Sequence, residues 1–94
     1  MKDRKQYANG QPVYIQDGDI LTYFFKTGIV KARGKNIRET MEGEWIFNRE
    51  SGALWQVGNF LGGKKHGRWI RHDRDGEIEY DAEFNDGKLI RKHR

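Results

Sequence analysis

The sequence predicts an all-β protein, an antiparallel meander of stacked β-hairpins in a single sheet. Three observations favour this fold class over a helical one. The 94 residues include 12 glycines, and glycine is a poor helix former. Aromatic residues make up 13% of the chain, which indicates a folded protein because disordered chains are poor in aromatics. Finally, a pattern recurs along the chain, so that Trp45 and Trp69, like Gly52 and Gly76, lie 24 positions apart. Such a period is typical of repeat architectures.

The recurring pattern divides the chain into units. The clearest match aligns Gly43, Trp45, Ile46, Gly52, Leu54, Phe60, Gly63 and Lys64 with Gly67, Trp69, Ile70, Gly76, Ile78, Phe84, Gly87 and Lys88. We interpret residues 1–94 as a single domain made of a degenerate capping unit (1–18), a weak repeat (19–42), two full repeats (43–66 and 67–90) and a basic tail (91–94). Terminal units of repeat proteins are often degenerate in this way.

Each repeat is predicted to contain one hairpin, with its turn at Thr27-Gly28, Ser51-Gly52 or Asp75-Gly76. Glycine is typical of such turns because it tolerates positive φ. Two-residue turns would place Leu21, Trp45 and Trp69 opposite the small residues Gly34, Gly58 and Ala82. They would also pair Phe25 with Val30, Arg49 with Leu54, and Asp73 with Ile78. A missing side chain leaves space for an indole across the sheet, so we predict that this face is the core. A three-residue bulged turn would shift the pairs by one.

The segments between hairpins are predicted to be loops, namely Lys35–Glu42 and residues 61–67. The chain would then form about seven short strands. Whether the sheet stays open or curls is not fixed by the pattern.

The other face of the sheet combines charge with an apolar patch. In the last hairpin we predict ion pairs between Arg74 and Glu77, His72 and Glu79, and Arg68 and Glu83, because opposite charges stabilise facing strands. The predicted apolar patch consists of Phe24, Ile46, Trp55, Val57 and Ile70. Exposed apolar clusters usually mark contact sites, and tryptophan is enriched at binding hot spots. A folded sheet that buries both faces is the competing interpretation of the patch.

Composition excludes several functional classes. The chain has no cysteine, which excludes disulfides, thiolate metal sites and cysteine nucleophiles. No apolar run approaches the roughly 20 residues of a membrane span, and the N-terminus does not resemble a signal peptide. We therefore expect a cytoplasmic protein. His66, His72 and His93 lack metal-ligand spacing, and the carboxylates of residues 77–83 alternate as on a solvated strand. We expect no catalytic residues, no metal and no cofactor.

The two full repeats, GEWIFNRESGALWQVGNFLGGK and GRWIRHDRDGEIEYDAEFNDGK, resemble the MORN repeat family and especially its bacterial variant. The family pattern has a glycine, a tryptophan, a turn glycine and a closing Gly-Lys at matching positions. One departure is Arg71, which stands where the other repeat has the aromatic Phe47. The resemblance implies a ladder of hairpins that binds a partner. Small bacterial members are often described as YwqK-like antitoxins, so a toxin protein is one implied partner. The family shares no catalytic residues.

We therefore expect a non-enzymatic, protein-binding repeat module. Its apolar patch would meet the partner, and Lys64, Lys65, Arg68 and Arg71 would form a polar rim. Two alternatives stay open. Residues 64–74 interleave basic and aromatic residues, which is typical of nucleic-acid binding, and the net charge is +4. The other alternative is a structural module that self-associates as a homo-oligomer through its open edge strands.

Overall fold

The computed structural model describes residues 5–94, which form one antiparallel sheet of nine strands and no helix. The strands are β1 (Tyr14–Asp17), β2 (Ile20–Phe24), β3 (Val30–Ile37), β4 (Thr40–Asn48), β5 (Leu54–Leu61), β6 (Lys64–Lys65), β7 (Gly67–His72), β8 (Ile78–Asn85) and β9 (Lys88–Lys92). Their order across the sheet is β1-β2-β3-β4-β5-β7-β8-β9, and the short strand β6 lies off this path and pairs with β5. The all-β meander predicted from the sequence is confirmed, with nine strands in place of about seven. The sheet does not close on itself.

Three hairpin turns contain the predicted glycines, but each turn has three residues. In the first, the Gly28 N–H donates to the Phe25 carbonyl at 2.9 Å and the Phe25 N–H donates to the Ile29 carbonyl at 2.8 Å. Gly28, Gly52 and Gly76 have φ angles of 92°, 94° and 84°. This is the bulged turn with a left-handed third residue. The two-residue turns assumed from the sequence are therefore wrong, and the alternative kept open there, the three-residue bulged turn, is observed.

A second bulge restores the register a few residues beyond each turn. Next to the turns, Val30 pairs with Phe24, Leu54 with Asn48, and Ile78 with His72. The predicted pairings of these residues with Phe25, Arg49 and Asp73 are wrong by one position. One additional residue then follows on the second strand of each hairpin, namely Lys31, Trp55 or Glu79. Because the two irregularities cancel, the predicted pairs Leu21–Gly34, Trp45–Gly58 and Trp69–Ala82 are all observed.

The predicted loop over Lys35–Glu42 is wrong, because these residues form the ends of β3 and β4 and a two-residue turn between them. Arg38 and Glu39 both have positive φ, at 53° and 65°. That conformation defines a type I′ turn, the tight turn that matches strand twist. Gly62-Gly63 and Asp86-Gly87 have positive φ at both residues as well. These three tight turns lie 24 positions apart. The 24-residue repeat as a structural unit, and the division of the domain into repeats, stay predictions. Residues 1–4 of the predicted capping unit lie outside the described part of the chain, and β9 extends through Arg91 and Lys92 into the predicted tail.

The core lies on one face of the sheet and is built around two tryptophans. Trp45 is 0% and Trp69 is 2% exposed. A Cβ atom at Gly34 would lie 2.3 Å from Trp45 Cγ, and one at Gly58 would lie 2.1 Å from Trp69 Cδ2. The glycines therefore accommodate the indoles as predicted, but each indole comes from the following hairpin rather than from the same one. Ala82 faces Lys92 of β9, so this position tolerates a methyl group.

The indoles are also fixed by hydrogen bonds and ring contacts. Trp45 Nε1 donates to the Lys35 carbonyl, and Trp69 Nε1 donates to the Asn59 carbonyl, both at 2.9 Å. Phe60 packs edge-on between the two indoles, with centroid distances of 6.3 and 5.1 Å. Buried tryptophans whose N–H groups are satisfied are well suited to a small core. Residues 5–94 contain no helix and no second sheet that packs on the other face.

Candidate functional site

Three members of the predicted patch form a continuous row on the face opposite the tryptophans. Ile46 pairs with Val57, and Val57 pairs with Ile70. Successive side chains of a strand point to opposite faces, so Ile46 and Ile70 face away from the neighbouring Trp45 and Trp69. All three are partly buried, and they belong to neither of the core clusters found among residues 5–94. We call Ile46, Val57 and Ile70 the apolar row.

The other two predicted members lie outside this row. Phe24 pairs with Val30 beside the first hairpin turn. Trp55 is the additional residue of the bulge in β5, so it has no partner in register on β4. Both side chains are partly buried. The structure therefore brings together three of the five predicted residues.

Two exposed apolar residues that the sequence analysis missed extend the apolar row towards the turns. Leu54 is 41% and Ile78 is 37% exposed. They pair with Asn48 and His72, which lie two positions beyond Ile46 and Ile70 on the same strands and hence on the same face. The two-residue turns assumed from the sequence gave Leu54 and Ile78 other partners. The glycine at the third turn position, Gly52 or Gly76, is compatible with both turn lengths and so did not by itself indicate the correct register.

A charged pair borders the apolar row on the β8 side. Asp81, directly opposite Ile70, is 7% exposed. Its carboxylate accepts hydrogen bonds from Arg68 Nε at 2.8 Å and Nη2 at 2.6 Å. This two-point hydrogen bond, helped by the opposite charge, lowers the pKa of Asp81 and raises the pKa of Arg68. Arg33 lies opposite Ile46 on the other side, so the row has charged residues at both ends.

The ion pairs of the last hairpin differ from the predicted ones. Arg68 contacts Asp81 rather than Glu83, whose carboxylate contacts His93 Nε2 at 2.8 Å. This hydrogen bond holds the pKa of Glu83 below its ordinary value. Glu79 binds Arg71 at 2.9 Å rather than His72, because Glu79 is the additional residue of the bulge. Arg74 and Glu77 form no ion pair within the described residues. The facing-strand rule failed because the bulge shifts one strand and because arginine reaches diagonal neighbours.

The predicted polar rim is divided between the faces of the sheet. Lys65 Nζ lies over the rings of Trp69 and Phe84, at 4.7 and 4.9 Å, and Arg71 lies over the Tyr80 ring at 4.8 Å. Both are therefore on the aromatic face, whereas Arg68 lies beside the apolar row. Lys64 is 3.6 Å from Asp86 at the sheet surface.

These contacts bear on the basic-aromatic segment 64–74. Three of its five lysine and arginine residues, Lys64, Arg68 and Arg71, already contact carboxylates. Trp69 is buried, so its ring is not available to stack on a base, which nucleic-acid binding through this segment requires.

The described residues contain no group of three or more side chains able to hold a metal ion. In the same part of the chain, no helix has the length and apolar character needed to cross a membrane.

Comparisons with known proteins give no match to a protein-family model, a curated protein or a solved structure.

Proposed function

We propose that this protein is a non-enzymatic binding module that contacts a partner protein through the apolar row. The observation that carries the proposal is the position of Ile46, Val57 and Ile70. They form a continuous apolar surface on the face opposite Trp45 and Trp69, outside both core clusters. Contiguous apolar surface of this kind usually marks a contact with another molecule.

The row has the arrangement of a small protein-binding interface. An apolar centre with charged residues at its margin is the usual anatomy of such interfaces. Here the margin is the Arg68–Asp81 pair on one side and Arg33 on the other. Leu54 and Ile78 enlarge the centre, and surface complementarity is the proposed mechanism. The resemblance of the two full repeats to bacterial MORN variants supports a more specific version, an antitoxin-like role in the cytoplasm with a toxin protein as partner.

The test is binding to a candidate toxin, measured by calorimetry with the wild-type chain and a Val57→Lys variant. Truncation or charging of a central contact costs about 2 kcal/mol or more, so we expect the affinity to fall by about thirtyfold or more. Leu61→Lys is the matched control, because Leu61 is 60% exposed and lies outside the apolar row. It should bind as the wild type does.

A second variant, Leu54→Lys, changes an exposed residue beside the apolar row. It can be measured even if Val57→Lys does not fold. Circular dichroism establishes that each variant is folded. Unchanged affinity in both folded variants would show that the partner binds elsewhere.

A further inference from the structure

The last strand, β9, leaves one edge of the sheet unpaired. It pairs with β8 on one side, and no strand among residues 5–94 lies on its other side. The His93 N–H donates to the Asp81 carbonyl at 2.6 Å. Because backbone groups of successive residues point to alternate sides of an antiparallel strand, the N–H and carbonyl of Lys92 point outward. An open edge with such groups can accept a further strand.

The composition of this edge indicates the chemistry of that strand. Residues 88–94 contain the basic residues Lys88, Arg91, Lys92 and Arg94 and no acidic residue. The two apolar residues of β9 are among the most exposed in the described chain, with Leu89 at 54% and Ile90 at 62%. A complementary strand would alternate acidic residues, which meet Arg91 on one face of the sheet, with apolar residues, which cover Leu89 on the other.

The protein already contains one strand of this kind, on the inner edge of β9. In β8, Glu79, Asp81 and Glu83 alternate with Tyr80, Ala82 and Phe84. Its Glu83 carboxylate contacts His93 at 2.8 Å, and its Phe84 lies opposite Leu89. The inner edge thus shows that β9 is compatible with an acidic, alternating neighbour.

We infer that the outer edge of β9 binds an extended acidic segment of a partner protein, which adds to the sheet as a further β-strand. Backbone hydrogen bonds supply the pairing in this mode of recognition, and side chains supply the selectivity. The surface is separate from the apolar row. A second β9 is a poor occupant, because it would bring like charges together.

The probe is a fluorescent peptide with the sequence of residues 77–85, EIEYDAEFN, titrated against the full chain by anisotropy. The control peptide, QIQYNAQFN, replaces each carboxylate with an amide. We expect the acidic peptide to bind at least about tenfold more tightly than its control, since each facing ion pair adds a little affinity. Its affinity should also fall as salt is raised. Equal affinities for the two peptides would refute the inference.

Variants of Lys92 establish which edge the peptide uses. Lys92→Pro removes the outward N–H and should weaken binding by about tenfold or more, whereas Lys92→Ala keeps that N–H and should change binding by less than about threefold. Wild-type affinity in Lys92→Pro would mean that the peptide exchanges with β8, which overturns the inference. If Lys92→Pro does not fold, the charge reversal Lys88→Glu/Lys92→Glu replaces it, with the same expected loss.

Light scattering tests another possible occupant of the β9 edge, the β1 edge of a second copy. β1 ends at Asp17, and Asp19 lies in the turn that follows. We expect a monomer. Oligomers that Asp17→Lys disrupts would assign the β9 edge to self-association and overturn the assignment to a partner protein.

Discussion

Replacing Gly58 by alanine tests whether the tryptophan core depends on a missing side chain. The backbone of Gly58 is outside the left-handed region, so alanine adopts it without conformational strain. The only obstacle is steric, because the new Cβ would lie 2.1 Å from Trp69 Cδ2. Carbon atoms prefer separations of about 3.5–4.0 Å, so the indole has to withdraw by about 1.5 Å.

The cost of that withdrawal follows from the contacts of Trp69. The indole is almost fully buried, donates to the Asn59 carbonyl at 2.9 Å and packs edge-on against Phe60 at 5.1 Å. Overpacking a core costs about 1–3 kcal/mol, and leaving a buried donor unsatisfied costs a further 1–3 kcal/mol or so. We therefore expect Gly58→Ala to lower the free energy of unfolding by about 2–6 kcal/mol. For a domain of this size the melting temperature should fall by more than about 10 °C.

Chemical denaturation followed by circular dichroism measures this loss, and a double-mutant cycle identifies its cause. In a Trp69→Leu background the large ring is gone, so Gly58→Ala should cost less than about 1 kcal/mol, because a glycine-to-alanine change in unstrained backbone is neutral or stabilising. An equal cost in both backgrounds would refute the steric explanation.

Two further predictions concern a turn and a buried carboxylate. Arg38 and Glu39 occupy a type I′ turn with positive φ, so Arg38→Asn with Glu39→Gly should raise the free energy of unfolding by about 1 kcal/mol; an unchanged denaturation midpoint would contradict this. The hydrogen bond from Arg68 lowers the pKa of Asp81 from its ordinary value of 3.8. The ionised carboxylate therefore stabilises the fold above pH 3.8, and this stabilisation is lost as the pH falls through the lowered pKa. Asp81→Asn should therefore be less stable than the wild type at pH 7, and the difference should shrink in acid melts below about pH 4. A constant difference would contradict it.

The meander and its core could be predicted because their causes are local in the sequence. The recurrence of a small residue, Gly34 or Gly58, opposite a large one has a steric origin, although the indole that each glycine accommodates comes from the following hairpin. The turns could not be predicted in the same way. Thr27-Gly28 is compatible with a two-residue or a three-residue turn, and the second bulge returns the strands to the same register a few residues later. Only the pairs next to the turn distinguish the two.

The candidate site was predictable where strand alternation is uninterrupted. No bulge separates Ile46, Val57 or Ile70 from the core residue beside it, so alternation places all three on one face. Trp55 lies at a bulge, where alternation fails. The ion pairs were missed for two reasons. Glu79 lies at a bulge and contacts Arg71, and Arg68 contacts its diagonal neighbour Asp81 although Glu83 lies directly opposite.

A sheet of one layer accounts for both proposed surfaces. Trp45 and Trp69 are buried on one face, and the described part of the chain supplies no second layer to cover the other, so an apolar row there remains partly accessible. A sheet that does not close also keeps two edges. Both edges are short, with four residues in β1 and five in β9, and short edges limit unwanted pairing. The β9 edge is also basic, which disfavours like-charged strands and leaves acidic ones as the compatible neighbours. Much of the net charge of +4, which suggests a nucleic-acid partner, therefore lies on residues 88–94. In the proposed mode of binding, this charge determines which strands can pair with the β9 edge.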